Sequence, residues 1–406
     1  MGYDSLPTSH AISIPVNVPE EISEIFDIIS YRKGSCVIRM MANFLDFETF
    51  IRGIANYLHA KAYSNADQDQ LWEFLTAAAQ ENGTLTNLTV KQVMDTWTVQ
   101  MGYPVVKVQR DYASGGAMAD QDRFLLTPAD NKPDNANYTW WVPISWTTPE
   151  LGFDITSPTD WLDPAQAGTN TVLSLSGLVA SQPLIVNVQQ TGFYRVNYDL
   201  ENWNLLADQL IGNHTSIHRV NRAQIIDDAL NLARAGLLDY PTALRQTEYI
   251  KFEEDYIPWI AAFNGFKYLE NMLKRSPGWG DLRSYLYDTL QPLLNRLGLE
   301  EKPGEDYLSE KLRISLVATL CRHEGLQCTK FSRNLLNEWM SYPDPDSSSP
   351  IPISLRSPVL CTAIAAGNLT HWDFLWQRYL NSNNANVKAK IMGALGCSKE
   401  IWLLQR

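Results

Sequence analysis

The sequence predicts a multidomain α+β protein: a helical segment, a small β-sandwich and an incomplete α-solenoid of paired helices. Three textures predict it. Apolar residues recur at helical spacing from residue 18 to about 98. Short β-type runs separated by Pro, Gly, Asn and Asp fill residues 99–191. Helical periodicity then returns near Gly192 and continues to Arg406. The implied domains are 1–98, 99–191 and 192–406.

In the first segment Ile22, Ile25, Phe26 and Ile29 fall on one helical face. Val37, Met40, Met41 and Phe44 form a second face, with Gly34 as punctuation between the two. Phe47, Phe50, Ile51, Ile54 and Leu58 form a third. All three read as core stripes. In the middle segment the β-type runs are Val105–Val108, Phe124–Leu126, Trp140–Trp146 and Leu184–Val188. Pro143 lacks the N–H that a central strand needs, so its run reads as an edge strand or a bulge.

In the last segment Ile225, Ile226, Ala229, Leu230 and Ala233 line one face of a helix over Asn221–Ala235. Gly236 is placed to close it in a left-handed conformation. Further helices are expected at Leu282–Leu297, Glu310–Arg322, Phe331–Met340 and Val387–Leu395, with Pro292 kinking or splitting the first. Short helices in succession suggest the solenoid, although no strict sequence repeat is present. The chain stops on an apolar helix start, Ile401–Leu404, so the C-terminus reads as truncated.

Composition excludes several functions. With 33 basic and 45 acidic residues the net charge is −12, which repels phosphate backbones and argues against nucleic acid as a partner. No apolar run is long enough to span a membrane. The N-terminus has no apolar signal core, and Leu6 breaks the myristoylation pattern. Of the five cysteines, Cys321, Cys328, Cys361 and Cys397 cluster late and Cys36 stands apart. Two disulfides with a free thiol, or five reduced thiols, both fit that count. Five Asn-x-Ser/Thr sequons, at Asn82, Asn87, Asn137, Asn213 and Asn368, lean toward a secreted, glycosylated chain whose true N-terminus lies upstream.

Motif chemistry is sparse. No His-Glu-x-x-His, Gly-x-Ser-x-Gly, phosphate loop or paired Cys-x-x-Cys is present. His214 and His218 have helical ligand spacing, but Thr215 stands where a catalytic Glu would be, so they read as surface histidines. His323-Glu324 has no second His. Glu21, Glu24 and Asp27 supply carboxylates near Tyr31, as helix N-termini commonly do.

Several segments, taken in order, carry a resemblance. They are Val18-Pro19-Glu20-Glu21-Ile22 through Tyr31-Arg32-Lys33-Gly34, then Val93-Met94-Asp95-Thr96-Trp97-Thr98 with Gly102-Tyr103-Pro104. Gly192-Phe193-Tyr194-Arg195-Val196-Asn197-Tyr198-Asp199 follows, then Asn221 through Ala229 and Asp373 through Tyr379. Ser9-His10 also fits, although Ala11 replaces a usual Pro. Together they resemble the C-terminal part of a zinc metallopeptidase of the aminopeptidase N family, with a texture like that of arthropod midgut members.

The resemblance implies a fold and a chemistry. Residues 1–98 would be the helical end of a thermolysin-like catalytic domain. Zinc would activate water for hydrolysis at peptide N-termini. Tyr31 would donate to the oxyanion of the tetrahedral intermediate. Phe26 would wall the pocket for the substrate's N-terminal side chain. The zinc ligands and general base have no counterpart here, so the chain alone is expected to bind no zinc and to be inactive. It further implies disulfides Cys321–Cys328 and Cys361–Cys397, with Cys36 free and buried. The parent's partners would be peptides. It would sit at the outer face of the plasma membrane or be secreted, with a membrane anchor outside this chain and with homo-oligomer contacts. The alternative is a non-catalytic extracellular scaffold or receptor-like chain.

Overall fold

The computed structural model describes residues 1–126, 138–175, 177–323 and 326–405. Asn137 and Glu324 lie outside them. The chain forms two compact units, Met1–Tyr249 and Ile250–Arg406. It is mostly helical with small sheets.

The first unit opens with α1 (Pro19–Glu24), α2 (Gly34–Leu45), α3 (Phe47–Ala60), α4 (Gln68–Asn82) and α5 (Val90–Thr98). Asp67 and Thr89 cap α4 and α5, each accepting from the backbone N–H three residues on. The stripe Val37, Met40, Met41 and Phe44 of α2 is buried.

Two stripes behave otherwise. The expected face through Ile22 and Phe26 is interrupted, because α1 ends at Glu24 and leaves Ile22 and Phe26 exposed. Gly34 does not punctuate; it continues a wide turn, Ile29–Lys33, directly into α2. Much of the third stripe is turned outward, with Phe47, Ile51 and Leu58 exposed by 66, 48 and 61% and Phe50 and Ile54 half-buried. The cause is Gly53, where a Cβ would lie 2.8 Å from Leu75 Cδ2 and 3.1 Å from Leu75 Cα. The bare backbone lets α3 press its Thr49–Gly53 face against α4.

Strands β1 (Pro104–Asp111), β2 (Gly116–Arg123), β3 (Val142–Ile144), β4 (Trp146–Thr147), β5 (Asp160–Leu162), β6 (Thr171–Val172), β7 (Ile185–Val186) and β8 (Arg195–Tyr198) follow. They make one four-stranded sheet, in order β6-β2-β1-β8, and the two-stranded ladders β3-β5 and β4-β7. β1 alternates buried Val106, Val108 and Arg110 with exposed Lys107, Gln109 and Asp111, so one face of its sheet packs and the other meets water. Pro143 pairs with Trp161 in a ladder of two strands, where an open edge tolerates a missing N–H.

Two expectations are corrected. The run Phe124–Leu126 is not a strand; the partner of β1 is the more polar Gly116–Arg123, which pairs with it residue for residue from Pro104↔Arg123. The stretch after Gly192 does not begin with a helix. β8 joins β1 in parallel, Val105 opposite Arg195, before α6 (Leu200–Asn213) starts.

The turn before β8 depends on Asn187, which is buried and left-handed at φ 68°. Its Nδ2 donates to Gly192 O at 3.1 Å, and its Oδ1 accepts from Gly192 N at 2.8 Å. Asn187→Ala strands both backbone groups and keeps the strained backbone. We expect a loss of about 2–4 kcal/mol, read as a lower urea midpoint at unchanged slope.

The unit closes with α7 (Arg219–Arg234) and α8 (Tyr240–Arg245). Gly236, at φ 74°, ends α7, and Leu237 N donates back to Leu232 O at 2.9 Å.

The second unit contains α9 (Tyr256–Leu273), α10 (Trp279–Leu297), α11 (Tyr307–Arg322), α12 (Leu326–Met340), α13 (Arg356–Ala365), α14 (Leu369–Asn381), α15 (Ala385–Leu395) and α16 (Ile401–Leu404). Pro292 does not split α10, which runs unbroken from Trp279 to Leu297. The core of the unit's second half joins Val317, Leu336, Val359, Leu375 and Ile391. Cys321 is bonded to Cys328 and Cys361 to Cys397. The second bond ties α13 to the residues just after α15, closing a loop of 36 residues and removing conformations from the unfolded chain. Cys36 is free but exposed, not buried. It falls on the outer face of α2, between the buried Lys33 and Val37.

Candidate functional site

Tyr31 stands in a stretch whose backbone departs from the α-helix. Ile29–Lys33 is π-helical, and Gly34 N donates to Ile29 O five residues back. Such single wide turns are uncommon and concentrate at functional sites. Asp27 starts the turn: its Oδ1 accepts from Ile29 N and Ser30 N, each at 2.9 Å. This capping role was legible only as one of several carboxylates near a helix start.

The turn is held from below by Lys33. Its ammonium is buried, 3.0 Å from Asp4 Oδ2, and donates to Gly102 O at 2.8 Å. Asp4 Oδ1 in turn accepts from Gly102 N at 2.9 Å. Burial pulls the Lys33 pKa below its ordinary value, against the raising effect of Asp4.

With Lys33 anchored inward, Tyr31 is turned out and is 62% exposed. Its ring lies 6.1 Å from that of Phe26, which is 65% exposed. The fold therefore brings Tyr31 and Phe26 together on one surface. The Tyr31 hydroxyl makes no hydrogen bond among the described residues.

Beside them, His10 Nε2 lies 2.9 Å from Asp27 Oδ2, and His10 Nδ1 is 2.7 Å from Ala11 O. Burial lowers the His10 pKa, but its bonds to Ala11 and Asp27 outweigh that and raise it overall. Burial raises the Asp27 pKa, and the bonds from Ser30 and His10 reverse it to a net lowering.

This donor set does not fit zinc. His10 and Asp27 satisfy each other, and a tetrahedral site needs three protein ligands at the least. Among the described residues no group of three or more His, Cys, Asp or Glu is placed to hold a metal. His214 and His218 do not share a helix. The first sits in a short turn against Tyr249, and the second caps α7 by accepting from Val220 N at 3.3 Å.

Ser35, one turn beyond Tyr31, opens a cleft of about 950 Å³ whose walls include Ile38, Arg39, Phe47, Trp161 and Gln189. Arg39 Nη1 donates to Gln190 O at 2.8 Å and braces a turn in which Gln189 and Gln190 both have φ of 50°. Nothing in the periodicity of α2 and α3 announced a cleft there, since their apolar stripes read as core packing.

The Arg195 and Asp227-Asp228 segments meet each other rather than this surface. Arg195 Nη1 lies 2.7 Å from both Asp227 Oδ2 and Asp228 Oδ1. Val196 N donates to Asp228 Oδ2 at 3.0 Å. They clasp β8 to α7 and are structural.

Comparison with known proteins finds two matched domains. Residues 1–97 match the description "Peptidase family M1 domain", and residues 183–406 match "ERAP1-like C-terminal domain". The chain is 37% identical to Aminopeptidase N of Homo sapiens over 416 residues, covering 100% of this chain and 41% of that protein. It is 36% identical to Aminopeptidase Ey of Gallus gallus, covering 100% of this chain and 41% of that one. It is 33% identical to Aminopeptidase N of the insect Plutella xylostella, covering 97% and 41%. The chain thus spans about two fifths of the length of the curated relatives it matches. From the collinear segments, the two matched domains and these relatives, the chain belongs to the aminopeptidase N family of M1 peptidases.

Proposed function

We propose that this chain is part of a zinc aminopeptidase that removes N-terminal residues from peptides. Residues 1–98 serve as the end of a thermolysin-like catalytic domain, 99–191 as a β-sandwich and 192–406 as a paired-helix domain. Within it Tyr31 donates its free hydroxyl to the oxyanion that develops on the attacked carbonyl. Phe26 forms an apolar wall for the substrate's first side chain. The observation that carries the reading is the π turn, which buries Lys33 and presents beside Phe26, in the M1-matching segment, a Tyr31 hydroxyl with no partner among the described residues.

The described residues do not form a zinc site. The chain alone is therefore expected to be inactive. Incubation with an aminoacyl chromogenic substrate and added zinc should give no turnover above buffer. Zinc-dependent turnover that a chelator abolishes overturns this.

The parent enzyme is placed at the outer face of the plasma membrane or in a secretory lumen, able to form homo-oligomers. Two disulfides and the exposed sequon residues Asn82, Asn87, Asn213 and Asn368 support that placement. Among the described residues no helix is long and apolar enough to cross a membrane. A second reading, which the two disulfides and the exposed sequon residues fit equally, is a non-catalytic extracellular scaffold or receptor-like chain. A transcript beginning at Met1 supports that reading, and one that encodes His-Glu-x-x-His upstream supports the first.

A further inference from the structure

The second unit holds a cavity of about 650 Å³ between α10, α11 and the start of α12, a volume typical of small-molecule sites. Leu290, Leu294, Leu299 and Leu320 give it an apolar floor. His323 and Arg283 bring cationic or donor groups to its lining, and Asp288 is the one carboxylate there among the described residues.

His323 is the feature that points to a ligand. Its side chain is nine-tenths buried, at 10% exposure. Its ring is fixed on two sides: Nε2 lies 3.0 Å from Glu270 Oε1, and the Trp279 ring stacks at 5.8 Å and 23°. Burial raises the Glu270 pKa, but its contact with His323 and the charges of His323 and Arg322 reverse this to a net lowering, so a carboxylate faces the Nε2 edge of the ring. Nδ1, on the other edge, is buried with no hydrogen-bond partner among the described residues. Buried polar atoms in native proteins are nearly always satisfied, by protein, water or ligand. Arg283 is exposed and forms no ion pair among the described residues.

We propose that this cavity binds a small amphiphile with an aliphatic body and a carboxylate head. The body lies over the four leucines. The head sits between Arg283 and His323 Nδ1 and shares a proton with that nitrogen, giving it the partner it lacks among the described residues. The site is independent of the peptidase reading, because it uses no residue of the Tyr31 surface.

Titration of the intact chain with sodium decanoate, followed by Trp fluorescence and calorimetry, tests it. Decanol and decylamine serve as head-group controls. Saturable one-to-one binding of decanoate is expected, about tenfold or more tighter than either control. Arg283→Gln and His323→Phe should each weaken it by a similar factor; the Phe ring can keep the stack on Trp279. Gly280→Phe is the variant that keeps the fold: a Cβ there meets nothing within 4 Å, the position is inside α10, and the new ring closes the cavity. It should abolish binding at an unchanged Tm. The proposal is overturned if decanoate fails to saturate below its solubility limit, if decanol or decylamine binds equally well, or if Gly280→Phe binds like the native chain.

Discussion

Tyr31→Phe is expected to lower kcat by about 10²–10³-fold with little change in KM. The measurement needs a catalytically complete enzyme, made by joining the preceding part of human Aminopeptidase N to Met1 of this chain. The physical case rests on charge that exists only in the transition state. A hydroxyl aimed at a developing oxyanion contributes little to the bound ground state, so its loss appears in kcat. Phe retains the ring and its contact with Phe26, 6.1 Å away, so the pocket wall is preserved. The hydroxyl has no protein partner to lose among the described residues, which separates a catalytic effect from a folding one. An unchanged kcat would remove Tyr31 from the chemistry. A rise in KM alone would reassign it to ground-state binding.

Arg195→Met should cost about 3–5 kcal/mol and lower the Tm of the first unit markedly. The guanidinium is buried and holds two carboxylates at 2.7 Å, one of them, Asp228, fully buried. Met fills similar volume but leaves Asp228 with a charge and no cation. Burial raises the Asp228 pKa to about 7 even with Arg195 present and opposing it. A raised carboxyl pKa favours folding below the unfolded value and disfavours it as pH climbs through the folded value. Removing Arg195 raises it further, so the variant's deficit should be smaller at pH 5 than at pH 8. Urea denaturation at both values checks this, and a deficit independent of pH would show that Asp228 is not the group left uncompensated. The double variant Arg195→Met/Asp228→Asn should recover part of the loss, since no buried charge then remains.

Parts of this protein were readable without a structure. The helix ending at Gly236 was one, because a 3.6-residue stripe and a glycine able to take φ 74° are local signals. The family was another, because short segments kept their order along the whole chain. The strand Arg195–Tyr198 was not: its pairing partner lies some 90 residues earlier, and no local pattern records a distant partner.

Apolar periodicity shows that a helix has a greasy face, but not what will cover it. On α3 the answer turned on Gly53, whose missing side chain drew the opposite face against Leu75 and left Phe47, Ile51 and Leu58 in water. Tyr31 shows the same division. Its residue type and neighbours named it as a candidate, whereas its outward direction depends on a π turn pinned by the distant Asp4 and Gly102. Sequence by itself determined the family, the helix-rich segments and the residues worth testing, because those are properties of local pattern and order. Only the tertiary structure decided which faces are open, which charges are clasped and which ring nitrogens are buried, because those depend on contacts between residues far apart in the chain.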